Sequence, residues 1–346
     1  MKHSNARHII GITMGDPVGI GPEILVKALN DSTLYAVCKP LILGDSHIIK
    51  KALSLLNISN NINIIDNPEQ GKYQSGTLDI MDISTIDTNQ SDLSYPTVET
   101  GTAMQNYITC AIDLALAGRI AGLVTCPITK TAMKLAGSQF HGHTELLAHR
   151  TDAKEYAMML TGNRLKVILV TIHIPLSRVS ESLTTQGILK KIKLAHTSLK
   201  DRFNIPMPNI AVAGLNPHAG EESMFGREEE DIIAPAVMLA KEEGLKVTGP
   251  LPPDTVFYQA VNGRYDAVIC MYHDQGLIPF KLIHFKDGVN TTLGLSIIRT
   301  SVDHGTAYDI AWQGIADPSS LIQAVKTAAF QAQNRKREQI ENENKW

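Results

Sequence analysis

Short β-branched runs alternate along the chain with longer segments whose apolar residues recur at helical spacing. This is the pattern of a parallel sheet covered by helices on both faces, and it predicts an α/β fold. Strands are expected over 8–14, 36–43, 61–65, 120–126, 155–160, 165–172, 209–214 and 265–270, several of them continuously apolar, as buried parallel strands require. Helices are expected over 22–29, where Pro22 suits a first turn, and over 98–117, 185–202, 227–243 and 318–335. Residues 67–95 are polar and weakly periodic and read as loops with an excursion hairpin. From Gln333 onward the chain is nearly all polar or charged, a solvated tail that frays or extends the last helix.

With 346 residues and a prior of roughly 150 per domain, the pattern extends over two domains. Candidate motifs become denser after Gly137, which places a crossing near 140. Hydrophobic residues make up 43% and charged residues 19%, and 32 Lys and Arg stand against 35 Asp and Glu, a net charge of −3. Bulk attraction to nucleic acid or to an anionic membrane is therefore not expected. Cys38, Cys110, Cys126 and Cys270 lie far apart with no CxxC, which fits neither a disulfide framework nor a cysteine zinc site. A reducing cytoplasm is the simplest home for such a chain. The apolar stretch Ile9 to Met14 is too short and Gly-broken for a signal core or a membrane span.

Three of the twelve histidines fall where a strand should end: His173 in TIHIPL, His218 in GLNPHAGE and His273 in MYHDQG. In open α/β sheets ligands bind beyond the strand carboxyl ends, and three imidazoles with open positions suit a catalytic divalent metal, zinc first. For one histidine alone, a strand cap or a local bond is the simpler reading. Three at one sheet end reverse that preference, although spacings of 45 and 55 residues make the site depend on the strand reading. Asn216, Pro217, Gly220, Asp274 and Gly276 supply the turns that position such loops.

GHTE at 142–145 reads either as a helix start capped by Thr144 or as a ligand contact through His143 and Thr144. Lys281, Asn290 and Arg299 would together suit a phosphate or carboxylate, and the apolar setting of Arg299 argues against a merely solvated charge. GDPVGIGPE at 15–23 is neither GxxxxGK[ST] nor GxGxxG and reads as a strand-to-helix turn, so a standard Rossmann cofactor site is not indicated.

In order, the segments GITMGDPVGIGPEI, GHTELLA, IHIPL, GLNPHAGE, GPLPPDTVF, MYHDQGLIPFK and GVNTTLGLSIIRTSVDHGTAYDIA cover residues 9 to about 314. Together they resemble the 4-hydroxythreonine-4-phosphate dehydrogenase family, the oxidoreductases of pyridoxal phosphate synthesis. The resemblance implies metal ligation by His173, His218 and His273, and substrate contacts at His143, Thr144, Lys281, Asn290 and Arg299. It also implies the fold of the β-decarboxylating (isocitrate and isopropylmalate) dehydrogenases: two α/β/α domains with mainly parallel sheets and an interdomain cleft, in a homodimer whose partner completes the active site. One domain would comprise 1–140 plus about 290–346, and the other about 141–289 would carry the metal ligands. DHGTAYDIAWQGIADP at 303–318 is similar to HGSAPDIAGKGIANP of those enzymes, where the segment contacts the cofactor's adenosine. Asp303, His304, Gly305 and Thr306 are thereby the candidates for holding NAD or NADP. Val18, the pair Glu222 and Ser223, and Ser296 depart from the usual family residues, but none of them is a proposed ligand or donor.

The implied reaction takes hydride from the secondary alcohol of a four-carbon phosphorylated acid, with one divalent metal per subunit (zinc, or magnesium, cobalt or manganese), and then releases CO₂. Lys281, His143 and Asp254 are the candidate proton carriers. The substrate would be 4-phosphooxy-L-threonine, giving 3-amino-2-oxopropyl phosphate. A sister branch acting on D-threonate or D-erythronate 4-phosphate, giving dihydroxyacetone phosphate, shares the site motifs. Two other classes compete: a metallohydrolase using the same histidines to activate water, and a non-catalytic phospho-sugar-acid binding protein. Neither accounts for every motif, since the first leaves the HGTAYDIA loop unexplained and the second the three histidines.

Overall fold

The computed structural model describes residues 7–87, 93–140 and 142–343, with side chains as far as Arg335 in the last helix. Over these residues the chain forms two compact units, Met1–Ala153 with Leu295–Gln333, and Lys154–Gly294 with Asn334–Trp346.

The first unit starts with β1 (His8–Thr13), α1 (Gly21–Leu29), α2 (Ser32–Val37), β2 (Cys38–Gly44) and α3 (Ser46–Leu56). It continues with β3 (Asn61–Ile64), β4 (Thr77–Asp82), α4 (Val98–Leu116), β5 (Gly122–Thr125), α5 (Lys130–Leu135) and α6 (His143–Arg150). The second unit holds β6 (Ala157–Thr161), β7 (Lys166–Leu169), α7 (Val179–Ser182), α8 (Thr185–Phe203), β8 (Ile210–Ala213) and α9 (Ala234–Glu242). β9 (Val247–Leu251), α10 (Pro253–Val261), β10 (Ala267–Cys270), α11 (His273–His284) and β11 (Val289–Leu293) complete it. The chain then returns with β12 (Arg299–Val302) and α12 (Ser319–Glu343), which belongs to the first unit as far as Gln333.

In the first unit the strand order is β3-β4-β2-β1-β5-β12, and every pairing is parallel. One face of this sheet packs Leu41, Leu43 and Leu123 against Met104, Ile108 and Ile112 of α4. The other face receives α12: Thr300 Oγ1 donates to the Ala324 carbonyl at 2.9 Å. In the second unit the order is β11-β6-β7-β10-β8-β9, parallel from β7 to β9 and antiparallel at β11/β6 and β6/β7. Alternation of side chains along these strands separates two cores. Ile168, Val212 and Ile269 face α8 and α9, whereas Leu169, Ala213 and Val268 face α10 and α11.

Each expected strand is present within a few residues, but four others were hidden, β4, β11 and β12 by polar residues and β9 by its Gly-Pro pair. Residues 67–95 do not form a hairpin in their described part. They supply β4, parallel to both β2 and β3, and residues 88–92 lie outside the described residues. Asp79 interrupts the apolar run of β4 because its buried carboxylate serves the neighbouring chain, accepting from the Lys72 amide at 2.9 Å and the Tyr73 amide at 2.7 Å. β9, β11 and β12 were likewise not expected. Thr291, Thr292, Thr300 and Ser301 are all buried, so β11 and β12 carry hydroxyls where an apolar run was the signal. The expected helix over 227–243 begins as a π turn, Glu229–Ile233, before α9. The cap of α6 is Gly142, which leaves His143 and Thr144 inside the first turn, so Thr144 is not the cap residue.

Candidate functional site

Three neighbouring parallel strands of the second unit, β7, β10 and β8, lead into His173, His273 and His218 respectively. Their carboxyl ends lie level because Leu169 pairs with Cys270 and Val212 with Ile269. Beyond β7 the chain stays pinned to the end of β10. Val170 N donates to the Cys270 carbonyl at 2.8 Å, and Thr171 Oγ1 donates to that of Met271 at 2.7 Å. Two residues further on, the rings of His173 and His273 meet with centroids 5.6 Å apart. His273 Nδ1 lies 2.7 Å from Asp274 Oδ1, an arrangement that orients the ring. Gln275 ties in the third strand: its buried side chain accepts from Met271 N at 2.7 Å and donates to the Gly214 carbonyl at 2.6 Å.

His218 opens a run of six residues with positive φ, from His218 (52°) to Ser223 (69°). Such a run of mainly non-glycine residues must be imposed by its surroundings. Glu229, in the π turn, pins the residues just ahead of that run. Its buried carboxylate accepts from Leu215 N at 2.6 Å, Asn216 N at 2.7 Å and Asn216 Nδ2 at 2.9 Å. The His218 ring faces Phe225 at 6.3 Å. Among the described residues, no group of three His, Cys, Asp or Glu converges closely enough to hold a metal ion. The structure thus gathers two of the three histidines and places the third at the adjacent strand end.

The remaining candidates of this unit are dispersed by element. Asp254 is exposed in the first turn of α10, Lys281 is half-buried on α11, and Asn290 lies on β11 opposite Leu160. Asn290 Oδ1 is buried without a hydrogen-bond partner among the described residues.

In the first unit Arg299 starts β12, only 3% exposed, with Nη2 donating to Thr125 Oγ1 at 2.8 Å. Burial pushes its guanidinium down to about 10, still cationic at neutral pH. His143 Nε2 is buried and lacks a hydrogen-bond partner among the described residues. Burial, and then the Arg299 charge, hold that imidazole well below its ordinary value. Residues 303–306 follow the end of β12. Asp303 N donates to Ser320 Oγ at 3.2 Å, His304 Nδ1 lies 3.1 Å from the Gly305 carbonyl, and Thr306 is buried.

The family model of the pyridoxal phosphate biosynthetic protein PdxA matches residues 36–328. The 4-hydroxythreonine-4-phosphate dehydrogenase of Desulforapulum autotrophicum is 61% identical over 326 residues, covering 94% of this chain and 96% of that one. The D-threonate 4-phosphate dehydrogenase of Salmonella typhimurium is 43% identical, covering 92% and 97%. A 1.25 Å crystal structure of the 4-hydroxythreonine-4-phosphate dehydrogenase of Klebsiella pneumoniae superposes with a TM-score of 0.89 at 43% identity, over 94% of this chain and 98% of that one. Fold and relatives together define an α/β dehydrogenase. The chain belongs to the PdxA family. None of the described helices is long and apolar enough to cross a membrane.

Sequence reasoning found the strand-end histidines but missed Gln275, Glu229, Asp16 and Glu23, the groups that hold loops in place. Their only signal was a polar or acidic residue beside an apolar run, which surface residues share.

Proposed function

We propose that the protein oxidises 4-phosphooxy-L-threonine with NAD or NADP and releases CO₂, leaving 3-amino-2-oxopropyl phosphate. The observation that carries this reading is the placement of His173, His273 and His218 after three adjacent parallel strands, where α/β enzymes bind ligands. Identity of 61% to a 4-hydroxythreonine-4-phosphate dehydrogenase, against 43% to a D-threonate 4-phosphate dehydrogenase, favours the amino acid substrate.

His173, His218 and His273 do not converge in the structure, but imidazoles are the donors a divalent ion takes, zinc first, and if the three were drawn together one such ion per subunit would supply Lewis acidity at the alcohol oxygen. The chain's own groups do the rest. Arg299, a buried fork that stays charged, is suited to an anionic group of the substrate, and Lys281, on the second unit, is a further candidate for such a group. Asn290 Oδ1 and His143 Nε2, both buried without partners among the described residues, are polar atoms that a substrate would satisfy, and Thr144 adds a hydroxyl beside His143. His143, neutral near pH 7, is suited to accept a proton from the substrate; Lys281 and Asp254 are the other candidate proton carriers. Asp303, His304, Gly305 and Thr306 hold the dinucleotide.

A homodimer would form through α11. Ile278, Leu282 and Phe285 are 68%, 87% and 78% exposed and follow one another at i, i+4 and i+7, an apolar stripe that shares its face with Lys281. The free cysteines fit a cytoplasmic enzyme.

The test is nucleotide reduction followed by absorbance, with 4-phosphooxy-L-threonine and with D-threonate 4-phosphate, before and after chelation and metal readdition. Metal-dependent reduction with the first substrate is expected. Reduction with the second alone would move the protein to the sister activity, and none with either would refute the proposal.

A further inference from the structure

The GDPVGIGPE segment is more than a strand-to-helix turn, because it grips the 306–316 segment at Thr306, Tyr308, Trp312 and Gly314, and Lys27 just beyond it adds Ala316. Asp16, fully buried after β1, accepts from Val18 N through Oδ1 at 3.1 Å and from the Tyr308 hydroxyl through Oδ2 at 2.6 Å, across 292 residues of sequence. The Tyr308 oxygen also lies 3.0 Å from Thr129 Oγ1, the N-cap of α5. Ile20 N donates to the Thr306 carbonyl at 3.0 Å. Gly19 passes so close that a Cβ there would stand 3.0 Å from Thr306 Cβ. Glu23, fully buried on α1, accepts from the Trp312 amide and, at 2.7 Å, from the Gly314 amide. One turn later Lys27 Nζ donates to the carbonyls of Gly314 at 2.8 Å and Ala316 at 2.6 Å.

The gripped segment has no regular secondary structure, and Ala307 (φ 43°) and Trp312 (φ 61°) hold left-handed conformations that side chains disfavour. Its shape is therefore imposed from outside. Two buried carboxylates with no salt-bridge partner among the described residues are expensive unless hydrogen bonds satisfy them; Val18 N serves Asp16 locally, and the Tyr308 hydroxyl and the Trp312 and Gly314 amides of this one segment supply the other bonds. The related HGSAPDIAG pattern has proline where this chain has Tyr308, so the side-chain tie to Asp16 is not a general requirement of such a loop.

We infer that Asp16 and Glu23 are positioning residues that hold 306–316 in a preformed, dinucleotide-competent conformation, Asp16 through Tyr308 and Glu23 through the Trp312 and Gly314 amides. The inference rests on the assignment of 303–306 to the dinucleotide. Preorganisation of this kind raises affinity by removing the ordering cost from the binding step.

The experiment combines amide hydrogen exchange over 304–316 in the free full-length protein with calorimetric titration by NAD, NADP and 4-phosphooxy-L-threonine. Tyr308→Phe removes one hydroxyl from a partly exposed ring and so tests the tie even if Glu23→Gln fails to fold. Losing a hydrogen bond to a charged group should speed exchange, and weaken the preferred dinucleotide, about tenfold or more. The affinity for the phosphorylated acid should hold. In an Asp16→Asn background, Tyr308→Phe should cost less than it does alone, since the two side chains act as a pair. Exchange in Tyr308→Phe equal to wild type would overturn the clamp whatever the ligand. Faster exchange with unchanged dinucleotide affinity would overturn its positioning role. Wild-type protein that binds neither dinucleotide would instead sink the assignment of 303–306 on which the inference rests.

Discussion

In the first unit burial holds the His143 imidazole neutral, and the buried charge of Arg299 adds to that effect. The guanidinium is buried against Thr125, and its charge reinforces the burial that already disfavours protonation of His143. Loss of either member should therefore change the proton affinity of the other's surroundings.

Stability should respond to this pair on the acid side. The folded-state pKa of His143 is depressed below its ordinary 6.5, so below that value the unfolded chain binds a proton that the native chain refuses. The contribution is fully present above about pH 6.5 and is lost as pH falls, at a slope of up to about 1.4 kcal/mol per pH unit. Urea unfolding between pH 7.5 and 5 should show a steeper decline for wild type than for His143→Gln. Parallel curves would contradict the argument.

Arg299→Lys retains a charge but loses the planar fork and its bond to Thr125. Because hydrogen bonds to charged groups are worth about 1.5 to 3 kcal/mol, kcat/KM for the phosphorylated acid should fall roughly tenfold to a hundredfold. The position is 3% exposed, so thermal stability should fall as well. Dinucleotide affinity, measured without substrate, should not change. Equal weakening of dinucleotide and substrate would reassign Arg299 to shaping the loop that follows β12.

If His173, His218 and His273 hold one divalent ion, chelation should abolish turnover and His218→Ala should lose one metal equivalent per subunit by elemental analysis. Readdition of zinc, magnesium, cobalt or manganese then identifies the ion that restores activity. Full activity in a verified metal-free preparation would rule the proposal out.

Leu282 is the most exposed member of the α11 stripe. Leu282→Glu should leave the fold intact, because surface substitutions usually change stability by within about 0.5 kcal/mol, yet shift sedimentation from dimer to monomer and lower activity. A wild-type protein that is fully active as a monomer would refute the α11 interface.

Much of this molecule was legible along the chain. Alternating β-branched and helical periods determined the α/β class, and the ends of apolar runs located His173, His218 and His273, because burial of a parallel strand leaves a local signature that stops where the strand does. What escaped was decided by partners far away in sequence. β11 and β12 carry buried threonines that only neighbouring strands explain, and the antiparallel entry of β6 has no local mark. Asp79 looked like a loop residue because the amides that satisfy it belong to tertiary structure. The same holds for Asp16 and Glu23: an acidic residue beside glycine and proline reads as a turn, and only the folded chain brings the Tyr308 hydroxyl and the Trp312 and Gly314 amides to their carboxylates. Periodicity reports which positions avoid water. It does not report which distant donor makes a buried charge tolerable, and the tertiary structure decides that.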